Sequence, residues 1–363
     1  MKISINCKKI TGPFGGAAAF EKDLSSYLLE KKITVVNTLK DSDIDIILIV
    51  APFSWNQIAS YTYLQILFYK MIHPNVILVH RINRCTDEKK TKYLTKTLLQ
   101  VANTSDFIVY IASWLKPLFE KEGLNKMIPS SVILNGADKK IFNSLGKKKK
   151  GSQEKLKIVT HHWSSNYLKG HDIYKKLDSL LDDPFYSDKF SFTFIGNYPD
   201  NMHYKNMTLL PPIHGKTLAT ELKKHHIYIT ASRNEAGGMH HIEGALCGLP
   251  ILYIRSGSLP EYCSGYGIEF NTQNFEKKLL LMHDRYFSIL KNIKHYNNTS
   301  ESMSEAYYKL FLRLYAQQKN TSLTKNNFLK IGYHFTILLR ASLTTLYWNI
   351  TLYIKFKLNT FKS

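Results

Sequence analysis

The sequence predicts an α/β protein made of two parallel-sheet units, and three observations carry that prediction. Short apolar runs alternate with helical patterns from Lys2 to Phe270, the arrangement that builds a parallel sheet with helices on both faces. At 363 residues the chain is long enough for two domains. A charged stretch, KKKKGS at 147–152, separates two halves that repeat the alternation without repeating the sequence.

In the first half, KISIN, ITVVN, DIILIVA, NVILVH, FIVYIAS and SVILNG read as strands, with helical patterns at 55–72 and 89–102 between them. A helical pattern after the first strand puts Phe20, Leu24, Tyr27 and Leu28 on one face. Gly15 and Gly16 stand between that strand and that helix. Glycine there lets backbone press against a ligand, or only turn tightly, and both readings stand on the local signal. The fingerprint G-x-G-x-x-G is absent, which argues against a dehydrogenase. In the second half LKIVTHH, SFTFIGN, MTLLPP, HIYITA, ILYI and GIEF are the strands, and the pattern turns helical from Asn274 onward. The expected division is 1–146 as a first Rossmann-like domain, 147–152 as a solvated linker, 153–300 as a second, 301–318 as a closing helix, and 319–363 as a basic tail.

Lys and Arg number 49 against 28 Asp and Glu, a formal net charge of +21. That balance points to an anionic partner: a nucleotide diphosphate, a nucleic acid or an acidic lipid. No helix-turn-helix, RNP or zinc-finger signature accompanies the charge, so a basic nucleic-acid-binding protein is a weaker alternative. Cys7, Cys85, Cys247 and Cys263 form no C-x-x-C pair, so neither a disulfide framework nor a zinc ribbon is indicated. MKISINCKKITG lacks the apolar core of an export signal, and a reducing cytoplasm is the expected setting.

The chemistry concentrates between His225 and Gly257. The strand IYITA leads into a polar loop with Glu235, ended by Gly237 and Gly238; a short helix from about Met239 to Cys247 then carries Glu243. Gly248 and Pro250 stop that helix before ILYI. Such strand–loop–helix units hold ligands at the carboxyl ends of their strands. The helix start offers unpaired N–H groups, and the glycines let a ligand approach them. A carboxylate can take two charge-assisted hydrogen bonds from a vicinal diol, worth roughly 1.5–3 kcal/mol each. A sugar nucleotide fits this set.

The run E-x7-E followed by G-L-P, with GSLPEYCSGYGIEF downstream, resembles the donor-site motif of retaining GT-B glycosyltransferases of family 4. ASWLKPLF and SVILNGADKKIF resemble further segments of that family, with Asn135, Gly136 and Asp138 shaping a turn that ends the first domain. The resemblance implies two Rossmann-like domains facing a cleft, with the helix at 301–318 crossing back to the first. It implies transfer from a nucleotide sugar to a glycan or lipid-linked hydroxyl, with neither metal nor cofactor. On that reading Glu235 holds the sugar, Glu243 holds the ribose, Gly237, Gly238, Met239 and His240 offer backbone to the donor, and Gly15–Gly16 close over its diphosphate. HHWSSNYLKG supplies the family's Lys-Gly at Lys169–Gly170 but lacks its preceding arginine, offering His161, His162, Trp163 and Ser164 instead. Lys169 is then the cation for the leaving diphosphate, because without a metal that charge must come from side chains and helix ends. A sugar-nucleotide epimerase on the same fold is the rival enzyme.

His80 ends the run NVILV and is a candidate for polarising the acceptor hydroxyl, or else a structural histidine; Asp87 is a weaker acceptor-side candidate. Asp41, Asp43 and Asp45 of DSDIDI precede or open their strand, so they are expected at the edge away from the ligand. Three His-His pairs, at 161–162, 225–226 and 240–241, lack zinc-site spacing. Beyond Glu305 the chain has no acidic residue, and IGYHFTILLRASLTTLYWNITLYI lies among lysines with Arg340 inside it. Ile331, Phe335, Leu338, Leu339, Leu346, Ile350 and Tyr353 fall near one helical face. A helix lying on an anionic membrane surface and a helix packed on the protein's own body both fit that pattern.

Overall fold

The computed structural model describes all residues except 11–14, 55, 90–92, 152 and 322–363. Two six-stranded sheets organise it. The first has the order β2-β1-β3-β4-β5-β6, built from β1 (Lys2–Ile5), β2 (Thr34–Val36), β3 (Ile46–Ile49), β4 (Ile77–Ile82), β5 (Phe107–Tyr110) and β6 (Ser130–Val132). The second has the order β12-β11-β10-β7-β8-β9, built from β7 (Leu156–His162), β8 (Phe190–Gly196), β9 (Thr208–Leu210), β10 (Ile227–Thr230), β11 (Ile251–Ile254) and β12 (Gly267–Phe270). Neighbouring strands in both sheets run parallel. A parallel strand covered on both faces is apolar on both, and β3, β4, β5, β10 and β11 are buried at each residue. Each strand overlaps one of the apolar runs identified in the sequence, with β4 running past its end to Ile82 and β6 and β8 starting one residue early.

The last described helix, Ser300–Thr321, belongs to the first core rather than the second. Its Met303, Tyr307, Leu310 and Phe311 pack with Phe20, Leu24 and Leu28 of the helix Gly15–Glu30, and the Tyr307 and Phe20 rings meet edge-on at 5.2 Å. The chain makes this return where Ala137 bridges Thr299. The crossing is so close that a Cβ on Gly136 would lie 2.0 Å from the Thr299 carbonyl oxygen, so only glycine fits.

Two charged stretches are more engaged than solvated loops would be. Asp41 and Asp43 pair with the Lys2 ammonium at 2.9 and 2.6 Å, and Asp45 accepts the Lys2 backbone N–H at 2.7 Å. They lie at the amino ends of β1 and β3, the edge away from the strands' carboxyl ends. Lys147 corrects the linker reading. Its ammonium donates to the Gly248 carbonyl at 2.6 Å, just past the helix His240–Leu246, and burial pulls its pKa down to about 8. A cation is favourable at a helix carboxyl end, which gives the lysine a reason to fold back. The tail expected at 319–363 lies outside the described residues beyond Thr321. Among the described residues no helix is long and apolar enough to cross a membrane.

Gly136→Ala is expected to lower the melting temperature by about 5 °C or more, since the crossing must be pushed apart. Gly151→Ala, whose Cβ would meet nothing closer than 3.7 Å, is the control. Equal melting of the two variants would contradict the crossing as described.

Candidate active site

Two loops at the carboxyl ends of β7 and β10 bring the functional side chains together. After β7 the chain makes one tight turn, Tyr167–Lys169, started by Asn166, whose side chain accepts the Leu168 N–H at 2.9 Å. Gly170 follows with φ +97°, and a Cβ there would stand 2.4 Å from the Cβ of Ala231. The Lys-Gly turn is thus pressed onto the start of the Glu235 loop. Arg233 reinforces the contact, donating its backbone N–H to the Leu168 carbonyl at 2.8 Å and its guanidinium to both oxygens of Asp172.

Lys169 donates to Glu235 Oε2 at 2.7 Å. Glu235 is only 4% exposed. Burial alone would raise its carboxyl pKa, but the Lys169 ammonium outweighs that and holds it below the usual range. Burial likewise acts to lower the Lys169 pKa, and the carboxylate raises it above its ordinary value. The Glu235 loop is fixed from behind as well. Ser256 Oγ accepts the Asn234 N–H at 2.9 Å, the Glu235 carbonyl accepts the Ser258 N–H at 2.9 Å, and Gly257, at φ +56°, lies so close that a Cβ would meet the Glu235 nitrogen at 2.5 Å.

Glu243 stands in the first turn of the helix His240–Leu246 and accepts from His161 Nε2 at 2.8 Å. That leaves His161 Nδ1 to accept from the Tyr228 hydroxyl at 3.1 Å, which fixes the ring's tautomer. Imidazoles gather beside this pair. The His162 and His240 rings are 4.7 Å apart and those of His240 and His241 5.0 Å. His162 bonds the Tyr174 hydroxyl at 2.8 Å and His240 the Thr230 hydroxyl at 2.9 Å. His241 has no hydrogen-bond partner at either ring nitrogen among the described residues, and burial pulls its pKa down to about 4. Among the described residues no group of three or more His, Cys, Asp or Glu side chains is arranged to hold a metal.

The first domain closes on these loops. A Cβ on Gly16 would lie 3.3 Å from Met239 Cγ, so the start of the helix Gly15–Glu30 abuts the start of the helix His240–Leu246. Asn135 donates to the Gly237 carbonyl at 2.7 Å and accepts from the Arg81 guanidinium at 2.7 Å. The Tyr262 hydroxyl accepts the Asn135 backbone N–H and donates to the Ile111 carbonyl, both at 2.7 Å. Beside it, Glu261 accepts from the backbone and hydroxyl of Ser113 at 2.7 and 2.8 Å. Asn234 donates to the Asp87 carbonyl at 3.3 Å. Asp87 thereby touches the site through its backbone, and the carboxylate whose field reaches Lys169 is that of its neighbour Glu88.

His80 is not part of this gathering. β4 continues two residues past it to Ile82, so the imidazole is enclosed within the sheet between Ile49 and Ile108. It is fully buried, neither ring nitrogen has a partner among the described residues, and burial pulls its pKa down to about 3. The residues that local sequence did not reveal are the long-range partners: Arg81, Tyr228, Tyr262, Glu88 and the pairing of His161 with Glu243.

No family model matches the sequence, and no curated protein matches it significantly. Solved structures do. The chain is similar over 87% of its length to 98% of a sucrose-phosphate synthase from Thermosynechococcus elongatus, with a TM-score of 0.61 at 11% identity. It is similar over 86% of its length to 99% of Anabaena HepE, solved with UDP and glucose, with a TM-score of 0.60 at 12% identity. It is similar over 86% of its length to the whole of WaaB, a lipopolysaccharide outer core galactosyltransferase, with a TM-score of 0.60 at 11% identity. The chain has the GT-B fold. In this GT-B protein the Lys169 and Glu235 loops occupy the carboxyl ends of the second sheet, where open parallel sheets take their ligands.

The pair sets an energetic expectation. Glu235→Gln leaves the buried Lys169 ammonium without its counter-charge, a change that costs about 3–5 kcal/mol. The double variant Lys169→Met/Glu235→Gln should recover most of that loss in urea unfolding. The carboxyl's depressed pKa keeps its contribution intact above the ordinary glutamate range and removes it only as pH falls through the folded value. The raised Lys169 pKa keeps its share below the ordinary lysine range and loses it as pH rises through the folded value. Additive single-variant effects in the double variant would mean that the two groups are not coupled.

Proposed function

We propose that the protein is a glycosyltransferase that moves a sugar from a nucleotide-sugar donor to a hydroxyl of a glycan or lipid-linked acceptor, with retention of configuration. One observation carries the reading: in a GT-B fold, a buried Lys169–Glu235 pair lies beside Glu243 where the two domains meet. The neighbour HepE, solved with UDP and glucose, supports a nucleotide-sugar donor.

The side chains then divide the work as follows. The Glu243 carboxylate takes the ribose hydroxyls, and His161 orients it. Beside His161 stands Trp163, the side chain placed to take the base. Trp163, largely exposed, offers it a face. In the free protein the Lys169 charge is spent on Glu235. A bound diphosphate draws the ammonium toward its oxygens, and Glu235 is released to accept hydroxyl hydrogens of the sugar. As the bond from the anomeric carbon to phosphate breaks and that to the acceptor oxygen forms on the same face, the acceptor's proton passes to the departing phosphate oxygen. Lys169 stabilises the charge that develops there. The orienting bonds to Glu235 and Glu243 hold the donor ready for the incoming hydroxyl. The chemistry as drawn needs no metal, and activity in EDTA is expected to match that without it.

A nucleotide sugar at 100 times its dissociation constant should raise stability by about 2.7 kcal/mol in a thermal-shift screen. Glu243→Gln should weaken donor binding about tenfold or more, since its hydrogen bonds to the ribose lose their charge. Glu235→Gln should lower turnover at saturating donor more than it lowers donor affinity. Glycoside product with inverted configuration would remove retention. A rearranged free nucleotide sugar would replace transfer by epimerisation. Loss of activity in EDTA with rescue by manganese would bring back a metal-dependent reaction.

A further inference from the structure

A second recess lies outside the reaction cleft, on the free edge of the second sheet. It encloses about 780 Å³ between β12 and the helix Phe275–Ile293, within the roughly 300–1,000 Å³ usual for ligand sites. Lys278, Arg285 and Asn292 line it at seven-residue spacing along one face of the helix, a stripe of about 21 Å at the helical rise. Arg255 and Asn271 line its upper end, at the carboxyl ends of β11 and β12. Three cations thus face one carboxylate, Glu269, which lies 3.6 Å from Arg255.

The edge adds unspent hydrogen-bonding groups. The Tyr266 and Phe270 carbonyls accept from Ile251 and Arg255 of the neighbouring strand at 3.1 and 2.9 Å. By strand alternation, Gly267 and Glu269 turn their peptide groups toward the recess. Asn271 and Asn274 spend their side-chain oxygens on local N–H groups, at 2.8 to 3.0 Å, and those bonds leave their amide nitrogens unused. Of the apolar residues along the recess, Ile268, Phe270 and Ile289 are buried and Leu281 is half-buried, so it offers little apolar surface to side chains. The upper end adjoins, through the chain, the back of the Glu235 loop: Arg255 precedes Ser256, which holds Asn234, and Gly257, which abuts the Glu235 backbone.

We propose that this recess binds a carboxylate-bearing glycan chain. The proposal rests on the glycosyl-transfer reading for the class of ligand, and on the recess alone for the binding. Elongated shape, amide donors and excess positive charge fit a polyhydroxylated anion. A neutral glycan would leave Lys278 and Arg285 facing each other without a counter-charge, and an acidic peptide strand would find little apolar surface for its side chains.

The test is calorimetric titration of the full chain with an oligogalacturonate and with a malto-oligosaccharide of equal length, beside a separate titration with UDP. The wild type should bind the anionic oligomer and bind the neutral one about tenfold or more weakly. Lys278→Glu/Arg285→Glu should weaken the anionic oligomer by about tenfold or more and leave UDP affinity unchanged. Lys121→Glu/Lys126→Glu, the same change of charge on exposed first-domain positions, should leave both affinities unchanged. Equal weakening by the two pairs, equal binding of the neutral oligomer, or no binding of the anionic one would overturn the proposal. Binding of the anionic oligomer without UDP binding would leave the recess standing and remove the transferase reading.

Discussion

A carboxylate that is almost fully enclosed can stay ionised only with a counter-charge at hydrogen-bond distance, and Glu235 has one in Lys169. Much of the second domain's upper surface follows from that need. The lysine must come from the neighbouring strand's loop, so Gly170 lets the β7 loop lie against Ala231. The carboxylate must not swing away, so Ser256, Gly257 and Ser258 hold its loop from behind. The outcome is a charged pair whose desolvation is already met by folding. Exchanging one partner for a phosphate then costs less than burying a lone charge would.

The first domain completes the arrangement through polar contacts alongside apolar ones, with Ala236 packed in a first-domain cluster and Ala112, Ala137 and Phe142 in the second-domain core. Arg81 holds Asn135, Asn135 holds the Gly237 carbonyl, and Tyr262 ties the Asn135 backbone to Ile111. Gly237 has no room for a side chain because a Cβ would meet Ile111 Cδ1 at 2.6 Å. Gly237 therefore serves the closure of the first domain on this loop. Hydrogen bonds of this kind can open and reform, which suits the proposed exchange of donor and product.

The sheets were legible because parallel strands buried on both faces leave continuous apolar runs, and FIVY or IYIT can hardly be anything else. Glu235 and Glu243 stand out in the sequence because their spacing is local, and Lys169–Gly170 because of the resemblance; that Lys169 meets Glu235, 66 residues on, was not legible. The sequence left His80 open between a reacting and a structural role for a specific reason. Arg81 looks like a charged strand end, but its guanidinium is buried 3.9 Å over the Phe20 ring and bonded to Asn135, so the strand runs on and encloses the histidine. Lys147 looked like part of a solvated run, and a carbonyl 101 residues away holds it. His161 and Glu243, 82 residues apart, show the general limit: a pairing made by tertiary packing leaves no periodicity or spacing to read.

The central claim is that the Lys169 and Glu235 loops receive the nucleotide sugar together. Amide hydrogen exchange on the full chain, with and without saturating UDP-hexose, tests it most directly. The account predicts slowed exchange in three segments at once: 161–170, 234–243 and the start of the helix Gly15–Glu30. Slowed exchange confined to other parts of the chain, with these three unchanged at saturation, would contradict it.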